Sequence, residues 1–181
     1  LADAPVTGAP SAWLQRFAPS PPGQALDVAC GSGRNLRWLA AQGWAVSGVD
    51  RDAAATQPLQ ALGEIIQADI ESGPWPLAGR EFDLVVVCNY LWRPLFDAVK
   101  ATVRPGGWLI WETFADGQQT IGRPSRPDFL LQRGELLRVC AGWHIVAYED
   151  LFEPGAQTQT PPRFVQRVAA IRPSAGGQLA A

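Results

Sequence analysis

Short unbroken apolar runs alternate along this chain with stretches whose apolar residues recur at helical spacing. Ala25 to Ala29 is the first run, followed by Cys30-Gly31-Ser32-Gly33 and by a stretch in which Leu36, Leu39 and Ala40 share one face. This predicts a strand, a tight turn and a helix. Gly43 ends the helix, and Ala45 to Val49 forms a second strand closing on Asp50. Glu64 to Gln67, with Ile65 and Ile66, gives a short third strand that runs into Asp69 before the turn Ser72-Gly73-Pro74. Phe82 to Cys88 is the strongest strand, because its contiguous Leu84, Val85, Val86 and Val87 suit a parallel strand covered on both faces. Leu91, Leu95, Phe96 and Val99 return to helical spacing, and Arg104-Pro105-Gly106-Gly107 ends that helix before a strand from Trp108 to Phe114. Leu136, Leu137, Val139 and Cys140 mark a further helix, His144 to Tyr148 a strand, and Phe164 to Ile171 a last strand after Pro161-Pro162.

Such alternation predicts the α/β class: an open, doubly wound, mostly parallel sheet with its ligand at the carboxyl ends of the central strands. Right-handed crossovers leave few other topologies. The 181 residues suit one domain, divided into an N-terminal cap or extension over 1–22, a core over 23–172 and a flexible tail over 173–181. Within the extension, Ser11 to Phe17 reads as a short helix that either lies over the ligand or serves only as packing.

Composition narrows the partners. A formal net charge of −2 with scattered Lys and Arg offers no basic stripe for a phosphate backbone, so no nucleic-acid partner is expected. No apolar stretch has the length that spans a bilayer, and the Pro-rich start lacks a charged region followed by an apolar core; the expectation is a cytoplasmic protein with no membrane partner. Cys30, Cys88 and Cys140 are odd in number and lie in apolar segments, which suggests buried free thiols and neither disulfides nor a metal site.

The glycine turn Gly31-Ser32-Gly33 lets a ligand approach the backbone closely, ahead of a helix with free N–H groups. Glycine turns of this kind occur in many folds, so the discrimination lies in the surroundings. A dinucleotide fingerprint would place a third glycine where Leu36 stands and would keep acid away from the pyrophosphate, whereas this chain has Asp27 in the strand itself. A carboxylate in a strand covered on both faces is costly unless a cation compensates it; the amino group of a methionine moiety would, although Asp27 capping a neighbouring loop is the alternative. Asp50, at the end of the second strand, has the spacing from Gly31 at which an acid accepts the ribose hydroxyls. Arg51 either stacks on adenine or is solvated. Asp69 is placed to accept from the adenine amino group with Ile70 packed on the ring, or else forms an ordinary turn.

The segments LDVACGSGRN, VSGVDRD, IIQADIESGPWPL, FDLVVVCNYL and VRPGGWLIWETF resemble, in order and spacing, the class I S-adenosylmethionine-dependent methyltransferases, from Leu26 to Phe114. The resemblance implies a Rossmann-like methyltransferase fold of seven strands with the last, Phe164 to Ile171, antiparallel. It implies S-adenosylmethionine as cofactor, with Asp27, Ala29, Gly31 and Gly33 at the methionine portion, Asp50 at the ribose, and Asp69 and Ile70 at the adenine. Ser32, Asn35, Arg51 and Cys88 complete the expected cofactor-binding set. The later segment QQTIGRPSRPDFLLQRGELLRVCAGWHIVAYED looks like the tail of the tellurite-resistance-type, small-molecule branch. On that likeness Gly122-Arg123-Pro124 forms a loop near a small-molecule acceptor, where Arg123 or Arg126 holds an anion or is simply solvated.

Methyl transfer needs alignment and exclusion of water more than dedicated catalytic groups. Asn89, Tyr90, Trp92 and Arg93 beyond the fourth strand, with Glu112 and Thr113 in the fifth, would face the acceptor. Tyr90 and Trp92 are either an aromatic wall for the sulfonium methyl or packing. Tyr90 and Glu112 are the catalytic candidates, Glu112 as a base of raised pKa if its pocket is closed. His144 reads as structural. After Cys88 stands Asn89-Tyr90-Leu91-Trp92 and not Asn-Pro-Pro-Tyr or Asp-Pro-Pro-Tyr, which argues against methylation of nucleic-acid bases. Two rival readings remain: a non-catalytic S-adenosylmethionine-binding regulator, and an NAD-dependent oxidoreductase, against which the missing third glycine and Asp27 both count.

Overall fold

The computed structural model of the chain describes residues 8–155 and 161–174. The expected boundary of the N-terminal extension therefore falls within the described residues, while positions 1–7 and most of the expected tail, 175–181, lie outside them. Elements follow in the order α1 (Ala12–Phe17), β1 (Gln24–Val28), α2 (Arg34–Ala41), β2 (Ala45–Asp50), α3 (Ala53–Thr56), β3 (Gly63–Gln67), β4 (Phe82–Cys88), α4 (Phe96–Ala101), β5 (Val103–Phe114), α5 (Glu135–Val139), β6 (His144–Glu153) and β7 (Arg163–Ile171). The seven strands form one sheet in the order β3-β2-β1-β4-β5-β7-β6. β1 to β5 pair in parallel, and β7 runs antiparallel between β5 and β6. This is the doubly wound, seven-stranded sheet expected from the sequence.

Side chains alternate across the sheet and feed two cores. On one face Val85, Val87, Leu109, Trp111 and Val168 meet Leu91, Leu95 and Val99 around α4, and Leu136 and Cys140 around α5. On the other, Val86, Cys88, Ile110 and Ala169 meet Trp13 and Leu14 of α1 and Leu36 and Leu39 of α2. Each fully buried Leu or Val contributes about 1.5–3 kcal/mol relative to exposure. Leu36, standing where a dinucleotide fold has glycine, fits because Gly48 of β2 faces it: a Cβ on Gly48 would come within 2.7 Å of Leu36 Cδ1. The small residue that lets helix approach strand has moved from the helix to the sheet.

Three elements differ from the sequence reading. The helix expected from Leu91 begins as a single tighter turn at Arg93 and becomes α-helical only at Phe96, because Pro94 occupies its first turn. β5 starts at Val103, with Arg104-Pro105-Gly106-Gly107 carried in the strand as an irregularity between the pairs Phe82–Val103 and Leu84–Trp108. β6 continues five residues past Tyr148 to Glu153, where its acids pair with arginines of β7. His144 is exposed at the start of β6, and Cys30, Cys88 and Cys140 are buried free thiols.

Candidate cofactor and active site

The carboxyl ends of β1, β2, β3 and β4 converge on an open cleft lined by Ala29, Asp50, Arg51, Ala68, Asp69, Ile70, Glu71 and Tyr90. Its backbone is unusual. Gly31 and Gly33 have φ of 51° and 79°, and two non-glycine residues, Ala29 and Asn89, are left-handed at 56° and 55°. These two end the neighbouring strands β1 and β4, where strain of about 1–3 kcal/mol per residue is retained at functional sites. Any larger residue at Gly33 is strained: its φ is 79° and an added Cβ would lie 2.5 Å from Leu59 Cδ2 unless that side chain shifts.

Asp50 is fixed by two backbone donors, Gly31 N–H to Oδ2 at 2.8 Å and Asp52 N–H to Oδ1 at 3.0 Å, which joins the glycine turn to the end of β2. It remains half-buried with lone pairs toward the cleft. Asp69 is exposed and forms a turn, accepting from the Glu71 and Ser72 N–H groups and from the Ser72 hydroxyl at 2.6 Å; that hydroxyl, followed by the two N–H groups, holds its pKa below the ordinary carboxylate value. The turn reading of Asp69 is thus realised, and it also sets Asp69 on the cleft rim beside buried Ile70. Arg51 is exposed on the same rim.

Asp27 differs from these. It is 2% exposed, and its Oδ2 has no hydrogen-bond partner among the described residues. Burial, opposed by Arg34 and reinforced by Asp50, pushes its pKa up to about 7. A carboxylate so placed lacks a cation. Asp27, Cys88 and Glu112 share one face of the sheet, since Asp27 pairs with Val86 and Cys88 with Glu112. Burial, followed by the negative charge of Asp27, keeps the Cys88 thiol protonated. Asn35, in the first turn of α2, is buried and gives its Oδ1 to the Ser11 N–H at 3.0 Å. Ser32 is half-buried in the turn.

The two catalytic candidates separate. Tyr90 lines the cleft with Asp50 and Asp69; its Oη is buried without a hydrogen-bond partner among the described residues, and burial, then the nearby Glu71 carboxylate, raises its pKa. Glu112 is committed elsewhere. Its Oε2 accepts from Arg167 at 3.0 Å and from Arg163 at 3.2 Å, and its Oε1 from the Ser11 hydroxyl at 3.0 Å. Two guanidinium groups and a hydroxyl occupy the lone pairs that a base would use, which runs against the base role read from an isolated acid in an apolar strand. Arg93 likewise grips Glu135 through Nε and Nη2, at 2.7 and 2.9 Å, and is structural. Trp92 packs on the core around α4, Thr113 is buried, and Asn89 is exposed. Arg126 pairs with Asp128 at 3.0 Å, and Arg123 is exposed in its loop.

Sequence reasoning missed Ala68 and Glu71, and it placed Ser11 only at the start of a short helix, over the ligand or in packing, without its partner Glu112. Glu71 directly follows Ile70 and could have been drawn from that adjacency; Ser11 carried only the signature of a helix N-cap, and it does accept from Leu14 N–H. The described residues hold no cluster of His, Cys, Asp and Glu placed for a metal ion, and no helix long and apolar enough to cross a membrane.

The sheet order, the glycine turn and the acids at successive strand ends define the class I methyltransferase fold. The sequence profile of the methyltransferase domain family matches residues 25–107, and over this stretch the chain is similar to that family. Among solved structures, TehB from Haemophilus influenzae superposes with a TM-score of 0.71 at 18% identity, covering 88% of this chain and 61% of its own. This chain therefore spans less than two thirds of TehB. The N-methyltransferase NodS from Bradyrhizobium japonicum gives 0.66 at 17% identity over 90% of this chain and 93% of its own, and the glycopeptide N-methyltransferase MtfA, complexed with S-adenosylmethionine, 0.61 at 17% over 93% and 96%. A comparison with curated protein sequences gives no match.

Proposed function

We propose that this chain is a cytoplasmic enzyme that transfers the methyl group of S-adenosylmethionine to a small-molecule acceptor. The observation that carries the reading is Asp27: a buried carboxylate with an unpartnered oxygen beside a glycine turn fits the ammonium of an amino-acid moiety and opposes a pyrophosphate. Asp27 and the turn Gly31 to Gly33, with Ala29, Asn35 and Cys88, would hold the methionine portion. Asp50 would accept the ribose hydroxyls, and Ile70, Tyr90, Asp69 and Arg51 would bound the adenine. The acids Asp27, Asp50, Asp69 and Glu71 outnumber Arg34 and Arg51 around the cleft, which favours a cationic ligand over NAD.

When bound, S-adenosylmethionine supplies an activated methyl and a neutral thioether leaving group. The chain's part is to orient and to exclude water. Asn89, held on a left-handed backbone with its N–H donating to the Glu112 carbonyl at 2.9 Å, presents its exposed carboxamide at the end of β4, where an acceptor would be positioned. The similarity to NodS and MtfA makes amine nitrogens the first acceptors to screen, followed by the softer atoms suggested by the tellurite-resistance likeness. The three unpaired buried thiols support the cytoplasm as the compartment.

Isothermal titration with S-adenosylmethionine, S-adenosylhomocysteine and NAD in parallel tests the reading. Micromolar binding of both adenosyl ligands and none of NAD is expected. Binding of NAD, or of no adenosyl ligand, overturns it.

A further inference from the structure

Three polar contacts hold the N-terminal segment across the carboxyl ends of β1, β4 and β5. Arg34 Nη1 donates to the Ala9 carbonyl, Ser11 N–H to Asn35 Oδ1 and the Ser11 hydroxyl to Glu112 Oε1, each at 3.0 Å. Trp13 and Leu14 then enter the core, and the Arg167 guanidinium stacks 4.9 Å from the Trp13 ring centre. Beneath this segment, on the same face of the sheet, lie Asp27 and Cys88, both buried, whereas Arg51 and Asp69 at the other end of the site are exposed. Ala29 lines the open cleft, whereas Asp27 and Cys88 are not among its lining residues. The half of the groove that would receive the amino-acid end of the cofactor is covered in this structure.

Glu112 is built to hold that cover. Arg163 and Arg167 both bind its Oε2, and they are themselves held by Glu153 at 2.6 Å and Glu149 at 2.7 Å across β6. The carboxylate is thereby fixed with Oε1 turned to Ser11. Three hydrogen bonds, the Arg167–Trp13 stacking and the burial of one indole and one leucine are a set of contacts local enough to open while the sheet stays folded.

We propose that Ala9 to Leu14 form a strap that lifts to admit the amino-acid end of the cofactor to Asp27 and closes over it, with Ser11 and Glu112 as its latch. Glu112 is a positioning residue that acts through Ser11. The proposal rests on the cofactor reading above, and the two fail in different ways.

The test uses the full chain and S-adenosylhomocysteine, followed by stopped-flow tryptophan fluorescence, with Trp13 in the strap as one reporter. Ser11→Ala is expected to raise the association and dissociation rates together, each roughly fivefold or more, while Kd changes less. Ser11→Thr, which keeps the hydroxyl, is expected to restore the slow rates. A folded Ser11→Ala chain with wild-type rates overturns the strap. A second measurement needs no variant: trypsin cleavage after Arg16, which requires α1 to detach, is expected to slow roughly tenfold or more at saturating S-adenosylhomocysteine. An unchanged cleavage rate with the ligand bound also overturns the strap. A wild-type chain that binds no S-adenosylhomocysteine instead removes the cofactor reading, and the strap falls with it.

Discussion

Replacing Asp27 by Asn is expected to move stability and cofactor affinity in opposite directions. Asp27 is 2% exposed, lacks a partner on Oδ2, and has its pKa raised by burial from 3.8 to about 7. Between those two values the folded state binds more protons at Asp27 than the unfolded one, so the penalty from Asp27 is absent at low pH and grows as pH rises through 7. At 1.36 kcal/mol per pKa unit the full penalty above pH 8 is about 4 kcal/mol. An Asn side chain is nearly isosteric and never ionises, so the ligand-free variant escapes that penalty. Urea denaturation of both ligand-free proteins at pH 5 and pH 8 measures the difference. The wild type is expected to lose stability between the two pH values by an amount the variant does not share, leaving Asp27→Asn the more stable protein at pH 8. Titration with S-adenosylhomocysteine at pH 8 is expected to show affinity at least tenfold weaker in the variant, through loss of the ion pair with the ligand ammonium. Wild-type affinity should rise from pH 5.5 to 7.5 as Asp27 gives up its proton. Equal pH slopes in the two proteins, together with equal affinities, would refute the assignment of Asp27 as an uncompensated acid awaiting a cation.

Asp50→Ala removes the acceptor for Gly31 N–H as well as for the ribose, and is expected to weaken S-adenosylhomocysteine binding by about 2 kcal/mol in calorimetry. Unchanged affinity in a folded variant would place the nucleoside elsewhere. Tyr90→Phe deletes a buried hydroxyl that has no partner among the described residues, so urea denaturation should show no loss of stability while affinity falls roughly tenfold; a destabilised variant with full affinity would mean the phenol is bonded within the protein. Gly33→Ala must place a Cβ against Leu59 on a backbone with φ of 79°, at a cost of about 2 kcal/mol. The double variant with Leu59→Ala should show positive coupling, and strict additivity would remove the contact as the cause.

The parts of the fold that were legible are those fixed by local pattern. β4 is bounded where its apolar run begins and ends, and the acids at the ends of β1, β2 and β3 lie on or beside the cleft because a strand's end is where its last side chain meets the ligand edge. What escaped depends on partners distant in sequence. Glu112 looked like an isolated acid because Arg163 and Arg167 lie more than fifty residues downstream, and only the insertion of β7 beside β5 brings them to it. The same arginines explain why β6 continues through Glu149 and Glu153, whose charges appeared to end a strand. Ser11 was hidden in the opposite direction: its contact with Glu112 spans 101 residues, and a serine ahead of an apolar stretch signals a helix start and nothing more.

β7 is the last strand in sequence but lies inside the sheet, between β5 and β6. During synthesis the first five strands can assemble as they appear, yet β5 keeps an unpaired edge and Glu112 has no cation until residues 163–171 arrive. β6 has no place to dock before then either. Ser11 is made well before β7 and finds its anchor fixed only once Arg163 and Arg167 have reached Glu112, so the strap cannot settle before β7 is in place. A nascent chain that has not yet reached β7 would therefore carry the glycine turn and Asp50, but not the Glu112 anchor that holds Ser11 over Asp27. Such a chain exposes β5, an interior strand of the finished sheet, as an open edge, which makes it a target for aggregation or proteolysis until β7 slides into place.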